Sequence, residues 1–255
     1  EVLVSSLTSR SEYWLGRIQN APMVSAGISD NAADVQSAGK RIYGDQDTSA
    51  CQNHKLKKVF EVGEENSVEF LADFSALAQL CSHANQNGVT SDVLRVYQKT
   101  HALAMLDLVL HNDTRWEGRW QVIKRCLELQ ESLTDGPLED LPLLAELRMA
   151  VPDFLRPPFW MRLTGYRPYI KALNDVSKLY QTQRFPTGQL VPLAIKYLVD
   201  LFQPDVVADS LYMNHFKASF LAALNEHMVV PVLNEGSSPF LKAAMMNPMI
   251  ARLLP

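Results

Sequence analysis

The sequence predicts a helix-rich α/β fold, and three observations carry that expectation. A short apolar run at residues 23–28, MVSAGI, ends in Ser29-Asp30-Asn31 and is followed by a helical pattern with Ala33, Val35, Ala38 and Ile42 apolar. Strand, acidic turn and helix is the simplest parse of that stretch. From Val68 onward the apolar period changes to that of a helix, beginning with Phe70, Leu71, Phe74, Leu77, Leu80 and Cys81. Strand signals therefore gather before residue 67 and helix signals after it. The expected division is residues 1–67 as the α/β part and residues 68–255 as a mostly helical domain.

Composition narrows the class. The chain has 255 residues, 47% of them hydrophobic, enough to bury one large core or two modest ones. No run of about 18 apolar residues suggests a membrane span. The N-terminus, EVLVSSLTSRSEYW, has neither the basic start nor the apolar stretch of a secretion signal, and it lacks Met, so the chain is expected to begin inside a longer product. Three cysteines, Cys51, Cys81 and Cys126, make no even framework and suit a reducing, intracellular setting. A net charge of −4 confines any nucleic-acid contact to a local patch.

The helical part is read in order. SDVLRVYQKTHALAMLDLVL continues the first helical pattern, with Ser91 placed to cap it. WQVIKRCLELQESL repeats it, and the proline-broken stretch DGPLEDLPLLAELRMAVPDFLRPPFWMRL reads as short helices and turns. GYRPYIKALNDVSKLYQTQRF and TGQLVPLAIKYLVDLF are strong helices, with Pro186 opening the second. HFKASFLAALNEHM and SPFLKAAMMNPMIARLL close the chain.

Four places carry candidate chemistry. Asp30 stands after the first apolar run, where an open α/β sheet puts its reactive groups, or it caps the helix that follows. Cys51 and His54 have the spacing of half a zinc site, but Cys81 and His83 diverge at C-x-H spacing, so zinc is not the expected metal. Lys55, Lys57 and Lys58 form a small basic cluster, either a phosphate contact or a solvated face. HNDTRWEGRW, residues 111–120, brings Arg115, Trp116, Arg119 and Trp120 into one short segment, setting cations beside indole planes.

The order of these motifs resembles the hAT superfamily of DNA transposases. ISDNAADVQSAGKRI is similar to that family's strand–Asp–Asn–Ala–helix segment, and CQNHKLKKVF to its C-x2-H segment. NDTRWEGRWQVIKRCLEL resembles its Thr-Arg-Trp segment, YIKALNDVSKLYQTQRFPTGQLVPLAIKYL two of its insertion helices, and LKAAMMNPMIARLLP its Ala-Ala-x-x-x-Pro segment. The resemblance covers residues 23–255. It implies a partial RNase H-like fold interrupted by a large all-α insertion domain, with DNA as partner and the nucleus as location. It implies Mg²⁺ or Mn²⁺ held by three carboxylates, of which Asp30 is one, with His54 near the scissile phosphate. It implies DNA contacts at Lys55, Arg115, Trp116 and Arg119. There Trp116 stacks on an extruded base and Arg115 holds a phosphate; the alternative is that Trp116 anchors the helix and Arg115 pairs with Asp113.

This sequence departs from the family's pattern. No Asp precedes Asp30, the third carboxylate of the family lies beyond the insertion, and Glu117-Gly118 follows Thr-Arg-Trp where the family has Asn-Ser. Two functions are therefore carried forward. One is the central part of a transposase, whose intact parent cleaves and joins DNA and assembles as an oligomer through regions outside this chain. The other is a catalytically inactive, domesticated descendant that binds DNA or protein.

Overall fold

The computed structural model describes residues 27–29, 48–110, 118–135, 138–181, 188–234, 238–245, 247 and 252. Helices dominate them. The first, α1 (Gln52–Glu65), buries Leu56, Val59 and Phe60 at the 3, 4 spacing of one helical stripe. The same stripe reaches Gly63, where a Cβ would come within 2.7 Å of the Phe220 ring, so only glycine lets the two approach.

Next, α2 (Val68–Gln86) buries Phe70, Phe74, Leu77, Leu80, Cys81 and Ala84 and packs against α3 (Gly88–Thr100), α4 (Gly118–Glu128) and α6 (Pro142–Ala150). The short α5 (Gln130–Thr134) packs on α3 and α4. Pro157 opens α7 (Pro157–Gln181), where its missing N–H costs nothing. Ahead of it, Leu155 takes φ 61° and its carbonyl accepts the Trp160 indole N–H at 3.0 Å. A 3-10 turn at Gly188–Leu190 leads into α8 (Val191–Leu201), and α9 (Leu211–Leu224) follows. Asn225–Asn234 widens into π-helical geometry around Pro231, whose ring cannot donate a hydrogen bond and would clash with the His227 carbonyl in a regular helix. The last described helix is α10 (Pro239–Met245).

The expected α/β class is wrong. Strand among the described residues is limited to β1 (Gly27–Ser29) and β2 (Thr48–Ala50), paired in parallel with Ile28 opposite Ser49. Three residues a side make no sheet that could cover a helix, so the architecture is all-helical and an RNase H-like core is not present among the described residues. The physical reason lies in CQNHKLKKVFEV: its apolar residues recur at helical spacing, so the segment after β2 coils into α1 and adds no strand.

The helical reading beyond Val68 holds in outline, but α7 runs unbroken from Pro157, through the end of a stretch expected to be short helices and turns, and the place of Ser91 also differs. Ser91 does not cap a helix running through residue 110. Asn87 caps α3, its side chain accepting the Val89 N–H at 3.1 Å, and Ser91 lies inside the helix, donating to the Ala84 carbonyl at 2.7 Å. The helix stops at Thr100, and Ala102 turns the chain with φ 55°. The buried Gln98 amide then pins the returning strand-like segment, donating to the Leu106 carbonyl and accepting its N–H.

The chain divides into two compact units, each discontinuous in sequence. One comprises Glu1–Val59, Val176–Asp200 and Ala223–Pro255, the other Phe60–Asp175 and Leu201–Ala222. Within the first, α10 packs on the 3-10 turn, with Phe240 close to Gly188, and the Ser177 hydroxyl donates to the Asn53 side chain at 2.6 Å. The second unit is centred on aromatic rings. Phe70 meets Tyr166 edge-on at 5.0 Å, Phe60 meets Phe220 at 5.5 Å, and Phe216 tilts against Phe220 at 4.8 Å. No helix among the described residues is long and apolar enough to cross a membrane.

Candidate functional site

Asp30, Arg115 and Trp116 lie outside the described residues. β1 ends at Ser29, one residue before Asp30. His54 and Lys55 stand in the first turn of α1, both half-buried, with their backbone N–H groups donating to the Cys51 carbonyl at 3.1 Å.

Arg119 is the candidate that the structure places in a formed cavity. It sits in the first turn of α4, and its guanidinium donates to Glu64 on α1, with Nε 2.8 Å and Nη2 2.7 Å from one carboxylate oxygen. The side chains are 15% and 7% exposed, so this is a partly buried ion pair rather than a solvated one. The cation lies 5.0 Å from the centroid of the Phe60 ring and 5.7 Å from that of Phe74, which shield it from water and stabilise its charge. Around it opens a cleft of about 430 Å³ whose polar wall is Glu61, Glu64 and Glu65 and whose apolar wall includes Leu71, Phe74 and Ala78.

Electrostatics in this cleft favour cations over phosphates. Desolvation raises the Glu64 pKa, and the Glu65 and Glu61 charges push it the same way; only the Arg119 hydrogen bond and charge oppose them. Burial is the largest of these influences on the carboxylate. A phosphate approaching Arg119 would meet three glutamates and would have to displace Glu64. Trp120, the next residue, is 8% exposed and buried, in keeping with the packing role its helical position suggests.

Sequence spacing gave no sign of the other buried charges. Arg162 on α7 holds two carboxylates: Asp73 with Nε and Nη2, both at 2.8 Å, and Asp153 with Nη1 at 2.5 Å and Nη2 at 2.8 Å. Asp73 lies 89 residues away, a separation no local pattern reveals. Burial raises the Asp73 pKa, whereas the Arg162 hydrogen bond lowers that of the more exposed Asp153. Cys81 and Cys126 are fully buried with their sulfurs 4.0 Å apart, and the hydrogen bond to Cys81, together with burial, pushes the Cys126 thiol up.

Asp30, the residue expected to hold a metal, lies outside the described residues. Two Mg²⁺ ions need several convergent carboxylates. Among the described residues no three His, Cys, Asp or Glu side chains converge on a cation site, and the Glu64 carboxylate is taken by Arg119. Of the residues with zinc-like spacing, Cys81 faces Cys126, and the His83 ring accepts from the Asn87 amide at 3.3 Å.

Comparison with protein-family models finds no matching family, and no curated protein matches the chain.

Proposed function

We propose that this chain is a helical binding module of hAT-transposase descent that contacts a protein partner. The ancestry is supported by the order of the five motifs between residues 23 and 255. The observation that carries the choice of protein over DNA is the setting of Arg119. A cation that would grip a phosphate is bound instead to Glu64, between two phenyl rings and beside Glu61 and Glu65.

A single titration tests this. The protein is added to a DNA hairpin carrying one unpaired base, with binding followed by anisotropy across a salt series, and with Mg²⁺ or Mn²⁺ present to detect nicking. The expected outcome is weak binding with a salt slope of less than about two phosphate contacts, and intact DNA. Tight binding that is lost in Trp116→Ala at unchanged Tm, or nicking that is lost in Asp30→Asn, would overturn the reading in favour of the DNA enzyme.

A further inference from the structure

Two of the three cysteines meet inside the second unit. Cys81 on α2 and Cys126 on α4 are fully buried, and their sulfurs lie 4.0 Å apart although 45 residues separate them in sequence. The helices that carry them pack together, and a second contact fixes their direction. The Arg119 guanidinium lies 5.7 Å from the centroid of the Phe74 ring. From Phe74 to Cys81 the spacing equals that from Arg119 to Cys126, about two helical turns. The two helices therefore run side by side in the same direction, and the faces that meet at Phe74 and Arg119 meet again at the sulfurs. The backbone there is held as well: the Asn85 amide donates to the Cys81 carbonyl at 2.8 Å, and the Leu129 N–H donates to the Cys126 carbonyl at 3.2 Å.

An S–S bond is about 2.05 Å long, so the sulfurs have only about 2 Å to close, a distance that rotation of two side chains about χ1 can cover. What the packed state withholds is access. A thiol is oxidised as its thiolate, and the hydrogen bond to Cys81, together with burial, holds the Cys126 thiol well above its usual range. Leu77, Leu80, Val122 and Ile123 on the same two helices are buried too, so no oxidant in solution touches either sulfur while α4 stays on α2. Local opening of one helix exposes both. Cys51 differs: it belongs to the first unit and is partly exposed.

We propose that Cys81 and Cys126 are a redox latch, which a low-molecular-weight disulfide closes when α4 parts from α2, and whose bond then locks the two helices together. One protein thiolate attacks the small disulfide, breaks its S–S bond, releases one small thiol and is left in a mixed disulfide. The second protein thiolate attacks that mixed disulfide and releases the other small thiol. The two protein thiols thus lose two protons and two electrons, and the oxidant takes up the electrons as its own S–S bond is reduced. In the reduced state packing alone holds α4; in the oxidised state a covalent bond closes a loop of 45 residues and removes the open form. Burial makes the latch respond to opening of the fold rather than to oxidant alone.

The probe is glutathione disulfide, added to the full chain carrying Cys51→Ser so that only the pair can react. Intact mass, a non-reducing peptide map and Tm are read over time at temperatures from well below Tm to just below it. The expected product has lost two hydrogens, carries no glutathione, and joins the Cys81 and Cys126 peptides. Its Tm should be higher by roughly 10 °C and return to the starting value with dithiothreitol. Ile123→Ala, which loosens the buried side of α4, should speed oxidation about tenfold at a fixed temperature below its own Tm. Cys81→Ala with Cys126→Ala should show no Tm response to the oxidant. The proposal is overturned if no linked peptide forms below Tm, if glutathione adducts accumulate in its place, or if the linked protein melts no higher than the reduced one. Oxidation equally fast in Ile123→Ala and its parent would also overturn it, because opening of α4 would then not set the rate.

Discussion

The Arg119 cleft and the outer face of α3 lie in the same unit and treat side chains in opposite ways. In the cleft a guanidinium is turned inward, paired with Glu64 and covered by Phe60 and Phe74. On the outer face of α3, Val89 and Val96, which would ordinarily be buried, face water. Charge in the first region holds the fold, and carbon in the second is left in solvent.

The comparison breaks most sharply at the buried cations. Arg162→Met should cost about 3–5 kcal/mol in urea unfolding, because it leaves Asp73 buried without its partner. Adding Asp73→Leu should recover much of that loss, and failure to recover would show that Arg162 acts through packing alone. Arg119→Met should cost less, about 3 kcal/mol, since the cleft lets water reach Glu64. If this variant is as stable as the parent, the cleft is no structural ion pair and Arg119 is available for other partners.

A smaller effect separates the carboxylates by sign. Glu64 has a folded pKa raised above 4.5, so its contribution is fully present below the unfolded value and is lost as pH rises through the folded one. The cost of Glu64→Gln is therefore greater at pH 4 than at pH 7. Asp153 has a folded pKa lowered below 3.8 by the Arg162 hydrogen bond, so its contribution is present above that value and is lost as pH falls. Asp153→Asn should thus cost more at pH 7 than at pH 3. Unfolding curves for the two variants at these pH values check both slopes, and parallel slopes would refute the assignment.

The smallest effect belongs to the outer face of α3. Val89→Asn and Val96→Asn should each change stability by less than about 0.5 kcal/mol, because both side chains already face solvent. A larger loss in thermal unfolding would mean that these valines belong to the core.

Local pattern determined a good deal of this. The period of Phe70, Phe74, Leu77 and Leu80 specifies α2 through contacts within a few residues, whereas α1 fell in the stretch expected to be α/β, and Pro157, which opens α7, stood in a stretch expected to be short helices and turns. The expectation of a sheet came from apolar runs too short to distinguish strand from helix by period alone, and among the described residues they form one three-residue pair. What surrounds the candidate residues came from tertiary structure. Arg119 meets Glu64 across 55 residues, and Arg162 meets Asp73 across 89. α3 ends where it does because Gln98 binds Leu106. Its valines face outward because Leu94 and Gln98 won the buried side. The sequence by itself could say which residues are apolar or charged and how they repeat; burial, which decides whether a charge binds its neighbour or a ligand, depends on chain segments far apart in sequence.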